Sequence, residues 1–412
     1  MNQKLLLLIG IITSAVVSAQ PAKIYLSPKA AGSGNQSMFI DSLKLFPLED
    51  IKNISPGQYS SLSVSKNYFI IQSYVDKELL IYTKAGRFIK KVSYKKLGQN
   101  AYPRYDYAKE QIIFFLKNKN YTLTEKDIVE IRTNFADNRN KKYYKKYIID
   151  LKDSSFTIQK STPAAFDILN AYNLKDDYYC TYEISVNKNY KDTTDYEVKI
   201  YKDTKFITGY FPYNKQNEIR YMYGNNIGAY TQATNTPDIF YITRPYVDTI
   251  YSLANGIITP VYQLVLPMET SLPKSFFEKA FKNKTEKENF ERNNGKLMRQ
   301  IYEVFESARY AFFSIGFFSN YGQYIYDKKT NASFNISKIK PDSLSFYLPL
   351  FKQNFGSRFE RKFYSIVTPE QLKTVYDQNK NRMERLPKEL QYCLKDSANL
   401  KPIIAEYTIK AN

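Results

Sequence analysis

Two short stretches of this chain collect side chains suited to recognising a ligand. Residues 97–107, LGQNAYPRYDY, carry Tyr102, Arg104, Tyr105 and Asp106, and the later TRPYVD carries Arg244 and Tyr246. Each sets a guanidinium beside phenols and a carboxylate, the mixture of donors, acceptors and aromatic faces that recognition surfaces favour. The competing reading is packing between neighbouring β-units, with arginine satisfying backbone carbonyls. Covalent chemistry has few carriers. The 412 residues include no His, no Trp and two Cys. A His-based triad, a histidine metal ligand, a four-thiolate zinc site and an iron–sulfur cluster are therefore excluded. No loop has the calcium or phosphate-loop pattern either, so no metal and no cofactor is expected. Carboxylates could act in pairs, as in glycosidases. Asp153, Asp203 and Asp327, however, stand at hairpin turns, where a carboxylate commonly binds nearby backbone N–H groups.

The elements that would hold these residues are mainly strands. Tyr numbers 39 and Phe 27, types that pack well on a half-buried pleated surface, and 43% of the chain is hydrophobic, enough for a folded core. One unit recurs: an alternating strand, a tight polar turn and a second alternating strand. Its copies are LLIYTKAGRFIKKV (79–92), KYIIDLKDSSFTIQK (146–160), YEVKIYKDTKFITGYF (196–211), DTIYSLANGIITPVYQLVL (248–266) and YIYDKKTNASFNI (324–336). Asn255-Gly256 suits a hairpin because both residues tolerate positive φ. Single hairpins cannot bury their own faces, so copies at this spacing suggest blades around an axis. A sixth blade could join the early strand 39–48 to the terminal strand 403–410, although periodicity alone also admits a sandwich or a barrel. Residues 273–308 and 368–395 read as helical insertions, the first from pairs such as Ile301 with Phe305, the second from Thr368 before Pro369.

Residues 1–19 read as a signal peptide: Lys4, a short apolar run, then Val17-Ser18-Ala19. Cleavage there leaves Gln20 first, with no cysteine to accept a lipid, and no segment of the mature chain suits a membrane span of about 20 residues. Residues 20–412 then form a single domain, periplasmic or extracellular. Export would permit Cys180 and Cys393 to pair; two separate buried thiols are the alternative. The net charge of +20 comes mostly from dispersed Lys, with 13 Arg among the 60 basic residues, which argues against a nucleic-acid surface even at the basic run NRNKKYYKKY ending at Tyr147.

In their order these phrases resemble the six-bladed β-propeller proteins exported by Bacteroidetes bacteria. LLIYTKAGRFIKKV precedes a Gly-containing loop and a strand near Gln111. DTIYSLANGIITPVYQLVL is similar to the family's Asp-Thr-Ile-Tyr segment, and YIYDKKTNASFNI to its late Tyr-Asp-Lys hairpin. The likeness runs from about residue 38 onward. It implies an all-β, six-bladed propeller and an exported location, but no reaction. One departure stands out: where the family has a loop similar to Gly-x-Gly-Pro-Gly-Glu-Tyr, this chain keeps Gly98 and Pro103 and loses the other glycines and the Glu. The expectation is a monomeric, non-catalytic binding or scaffold module recognising a protein, peptide or glycan. The competing expectation is a carboxylate-dependent enzyme acting on envelope carbohydrate.

Overall fold

The computed structural model describes residues 20–49, 61–98, 101–106, 109–117, 144–162, 172–173, 178–182, 196–202, 205–212, 230–234, 239–278, 281–351, 357–359 and 361–411. Among these, consecutive strands pair into antiparallel meanders, and the hydrogen-bonded ladders form six sheets. The first contains Ser61–Val64, Tyr68–Ser73, Glu78–Thr83 and Phe88–Ser93. The second contains Pro103–Asp106, Gln111–Lys117, Tyr144–Asp150 and Gln159–Ser161. Tyr172–Asn173, Tyr178–Tyr182, Tyr196–Lys202 and Lys205–Pro212 make the third. The fourth holds Tyr230–Ala233, Ile239–Thr243, Thr249–Ala254 and Ile257–Val265, and the fifth Met298–Glu306, Tyr310–Phe317, Tyr321–Asp327 and Ala332–Lys340. The sixth combines both ends of the chain: Ser357–Phe359, Lys362–Val367 and Ile403–Ile409, with Ile40–Pro47 antiparallel to the last.

The sheets stack face against face. Tyr310 and Phe312 point to one side of the fifth sheet, towards Phe363, Ile403 and Tyr407 of the sixth; Ala311, Phe313 and Ile315 point to the other, towards Tyr241 and Ile250 of the fourth. A strand covered on both faces needs apolar residues at odd and even positions alike. That is why YAFFSIGF is buried throughout. The first sheet repeats the pattern, with Phe69 and Ile71 against Tyr364 and Ile404 of the sixth and Ile70 and Ile81 against Ile112 and Phe114 of the second. Val198 and Ile200 join the third sheet to the fourth. The first strands of the sixth and first sheets, and of the fourth and fifth, lie side by side. This is the arrangement of an all-β propeller with few helices.

The six sheets are of unequal regularity: the third opens on a two-residue strand, and the sixth is assembled from distant segments. One expectation needs correction: only part of 273–308 is helical. Helices α1 (Lys274–Glu278) and α2 (Lys284–Asn293) are followed by the strand Met298–Glu306, which contains Ile301 and Phe305. The register of that strand slips between Met298 and Gln300 and again between Tyr302 and Val304, where Glu303 has φ 36°. Each bulge shifts the alternation by one residue. Ile301, Val304 and Phe305 are therefore all buried, a spacing that imitates a helix. Later, α3 (Pro369–Asn379) and α4 (Lys388–Leu394) pack on the sixth sheet through Leu372, Val375, Leu390 and Leu394. Thr368 and Gln371 form a reciprocal cap at the start of α3.

The N-terminal arm adds an outer layer absent from the sequence reading. Ala22–Tyr25 pairs in parallel with the outer strand Ile257–Val265, and Gly32–Asn35 with Ala332–Lys340, before the chain enters the sixth sheet. Residues 1–19 lie outside the described residues. No helix among the described residues is long and apolar enough to cross a membrane.

Candidate functional site

A groove of about 1010 Å³ opens where the fourth, fifth and sixth sheets meet the N-terminal arm. Its polar centre is Glu306, the last residue of Met298–Glu306. Beyond the second bulge, Val304 packs towards the fourth sheet and Phe305 towards the sixth, so the alternation aims Glu306 at the fourth sheet. There Tyr241 donates to Oε1 of Glu306 and Tyr262 donates to Oε2. Lys328, in the hairpin turn of the fifth sheet, donates to Oε2 at 3.3 Å and to the Ser307 carbonyl at 2.6 Å. Asp327 holds that turn. Its Oδ1 accepts from the Lys329 N–H at 2.9 Å, and its Oδ2 accepts from Arg309 Nε at 3.1 Å and Nη2 at 2.7 Å.

The charges at this centre follow from the geometry. Burial raises the pKa of Glu306, but hydrogen bonds from both phenols and the Lys328 ammonium outweigh it and hold the carboxyl below its ordinary value. Burial, then the hydrogen bond to Glu306 and its negative charge, push both Tyr241 and Tyr262 far above the ordinary phenol range. At neutral pH the cluster is thus an ionised carboxylate held by two neutral phenols and a lysine. The phenols serve as donors, not bases. A glycosidase general acid needs the opposite shift, upward. Asp41 and Arg361, both exposed, also line the groove and give its mouth charge of either sign.

The structure distributes the expected site residues differently. Arg244 is buried at the junction of the third and fourth sheets. Its Nε donates to Glu197 Oε2 at 2.8 Å, its Nη2 donates to Oε1, and its guanidinium lies 4.0 Å from the Phe211 ring centre. Tyr246 is 2% exposed, adopts φ 60°, and packs against Phe276 and Phe318. Its hydroxyl accepts from Lys287 Nζ at 3.0 Å and donates to Glu291 at 3.5 Å, fastening α2 to the fourth sheet. Burial and the Glu291 charge push its pKa upward.

The other loop belongs to the second sheet. Tyr102 is 62% exposed beneath Lys77, and Arg104 lies over Phe115 at 5.5 Å. Tyr105 faces the core between the first and second sheets and donates to Glu110 at 3.0 Å, while Asp106 accepts from the Lys109 N–H at 3.1 Å. Cys393 is a free, buried thiol of α4, its pKa pushed up to about 12 by burial. The side chain of Cys180 lies outside the described residues, as does Asp203. Among the described residues, no cluster of His, Cys, Asp and Glu could hold a metal ion.

Sequence reasoning missed Glu306, Tyr241, Tyr262 and Lys328. Glu306 fell within the stretch read as helix. The available signal was weak: an acidic residue directly after the apolar pair Val304-Phe305, in a strand, MRQIYEVFE, that also carries Arg299, Gln300 and Glu303.

No protein-family profile and no curated protein sequence matches this chain. Solved structures do. The chain is similar to a candidate exported protein of Bacteroides fragilis, with 14% identity over 94% of this chain and 100% of that one, at a TM-score of 0.55. It also aligns with a member of the DUF4221 family from Bacteroides vulgatus, with 11% identity over 90% and 98% of the two chains and a TM-score of 0.43. TolB from Acinetobacter baumannii aligns at 14% identity over 68% of this chain and 53% of that one, with a TM-score of 0.29. At these identities the first likeness establishes the fold alone, an all-β propeller.

Proposed function

We propose that the chain is an exported, non-catalytic β-propeller that binds a protein, peptide or glycan in the groove around Glu306. The observation that carries this reading is the saturation of Glu306: both carboxylate oxygens accept hydrogen bonds, and the pKa is shifted downward. A carboxylate so engaged is preorganised to shape a surface and poorly placed to deliver a proton. The stacked sheets supply a rigid scaffold on which surface segments can vary. Export is supported by the leader-like residues 1–19 and by the likeness to a candidate exported protein. The mature chain, beginning at Gln20, acts as a monomer in the periplasm or outside the cell.

The test immobilises the mature chain and passes over it an envelope extract from the source cell, with retained species identified by mass spectrometry. Parallel columns carry Asp41→Lys with Arg361→Glu, which reverses the exposed charges of the groove, and Arg104→Ala, which probes the second-sheet loop. A species retained by the native chain and lost by the groove variant is the expected result. Equal recovery on the native and groove-variant columns would refute the groove assignment, and loss confined to Arg104→Ala would move the site to the second sheet.

A further inference from the structure

The turn between the second and third strands of the first sheet carries side chains that the turn itself does not require. Turn tips favour Gly, Pro, Asn, Asp and Ser, which suit the dihedrals or bond to nearby backbone. Here Ser73-Tyr74-Val75-Asp76-Lys77 joins Tyr68–Ser73 to Glu78–Thr83, with Val75 81% and Tyr74 47% exposed. The turn is nevertheless fixed. Ser73 Oγ donates to Asp76 Oδ2 at 3.0 Å and accepts from the Asp76 N–H at 3.2 Å. Lys77 adopts φ 54°, and its carbonyl accepts from the Tyr94 N–H at 2.9 Å. Behind the turn, buried Tyr94 donates to the Ser73 carbonyl at 3.4 Å. Burial raises the pKa of this phenol, the hydrogen bond from Gln72 lowers it, and the phenols of Tyr74 and Tyr102 both add to the rise, so both lie close to it. Tyr102, which leads into the second sheet, also holds Lys77 Nζ 5.2 Å from its ring centre. Tyr74, Val75 and Tyr102 thus gather on one exposed patch. Apolar residues scattered singly over a surface need no explanation, but a group held together on a fixed turn marks a contact surface.

We infer that this patch docks an acidic protein segment, whose apolar side chains cover Tyr74, Val75 and Tyr102 while its carboxylates meet the lysines around them. Charge selects the partner. Lys77, Lys91, Lys95 and Lys96 surround the turn against Asp76 and Glu78, and Lys91, Lys95 and Lys96 are exposed. Both acids are already engaged: Asp76 accepts from Ser73, and Glu78 lies 3.5 Å from Lys91 Nζ and 3.8 Å from Lys95 Nζ. The surplus is positive, so complementary potential requires carboxylates on the other side. Val75 separates protein from glycan. An aliphatic tip offers a sugar neither a hydrogen bond nor a stacking face, whereas tyrosine beside an aliphatic residue suits burial against apolar side chains. A fixed turn also loses little freedom on binding.

The patch is separate from the groove around Glu306. Turns between second and third strands, and the entries to first strands, lie at one end of the meanders; Glu306 closes a first strand and lies at the other. Docking here rests on the propeller being a binding module but is independent of the groove.

The test measures binding of fluorescein-labelled peptides to the mature chain by fluorescence anisotropy, at low salt and at about 0.5 M salt. Three peptide sets are compared: Asp and Glu mixed with Leu and Phe, the same with Ser replacing Leu and Phe, and the same with Lys replacing the acids. The first set is expected to bind, and more weakly at high salt. Tyr74→Ser with Val75→Ser should weaken it by at least about tenfold, as the loss of central contacts does. Tyr102→Ser should weaken it as well, and Lys95→Glu with Lys96→Glu should do so chiefly at low salt. Asp41→Lys with Arg361→Glu should leave it unchanged, which separates this surface from the Glu306 groove. Thermal unfolding is measured alongside. Val75→Ser alone should unfold with the native chain, because the side chain is exposed, and still bind more weakly. No binding by the first set, equal binding by the second, preference for the third, or undiminished binding by Tyr74→Ser with Val75→Ser would overturn the inference.

Discussion

Replacing Arg244 with methionine would leave Glu197, whose side chain is 1% exposed, inside the junction of the third and fourth sheets without its cation. The structure gives this pair two parallel hydrogen bonds and a guanidinium stacked on Phe211. Removing one partner of a buried pair costs about 3–5 kcal/mol, because the remaining charge stays desolvated. Replacing both partners with apolar residues of similar volume is often neutral or stabilising. The expected order of stability therefore places Arg244→Met well below the native chain and Arg244→Met with Glu197→Leu close to it. Urea unfolding reports this, followed by far-ultraviolet circular dichroism and by tyrosine fluorescence, which no Trp obscures. With a urea dependence of about 3 kcal/mol per molar, the single variant should unfold about 1 M earlier. Were Arg244 instead a ligand-contacting residue, Arg244→Met would unfold with the native chain and lose only binding. A midpoint shift below about 0.2 M, or a double variant no more stable than the single one, would refute the burial argument.

Three further outcomes follow from the same geometry. Asp327 is 3% exposed; burial raises its pKa, but Arg309 and backbone N–H groups outweigh this and hold it below the ordinary value of about 3.9. A depressed folded-state pKa adds stability above the unfolded value and loses it as pH falls through the folded one. Asp327→Asn should accordingly flatten the acid limb of a stability profile below about pH 4, and an unchanged limb would contradict the assignment. Gly86 has φ 81°, and a Cβ there would lie 1.9 Å from the Pro47 carbonyl oxygen, at the seam between the first and sixth sheets. Gly86→Ala should cost more than about 2 kcal/mol in urea unfolding; a cost near zero would mean the seam is looser than described. Cys393, buried with its pKa near 12, should resist iodoacetamide at pH 8 in the folded chain and react in denaturant without reductant. Failure to react in unreduced denaturant would reveal a disulfide.

Local pattern made the hairpins legible. Asn255 and Gly256 adopt φ 51° and 75° between Thr249–Ala254 and Ile257–Val265, because a two-residue turn matched to strand twist needs two residues tolerant of positive φ. Thr368-Pro369 likewise announced the start of α3. Pattern failed where the backbone departed from regularity. Two bulges in Met298–Glu306 disguised a strand as a helix and concealed Glu306. The arm was also illegible, since AKIY and GSGN become strands only by pairing with edges more than 200 residues away.

The two candidate loops show the same division. Composition identified Arg104 and Arg244 as chemically equivalent, yet one lies exposed over Phe115 and the other is buried on Glu197. Residue type alone determined that this protein lacks histidine chemistry and is rich in strands, because composition limits functional groups and alternation is a property of neighbouring residues. The order in which the sheets stack, the partner of each arginine, and the gathering of Tyr241, Tyr262, Glu306 and Lys328 were decided only by the tertiary structure. Those outcomes depend on which faces meet when distant segments pack, and burial, hydrogen bonding and charge take their values only after that packing is complete.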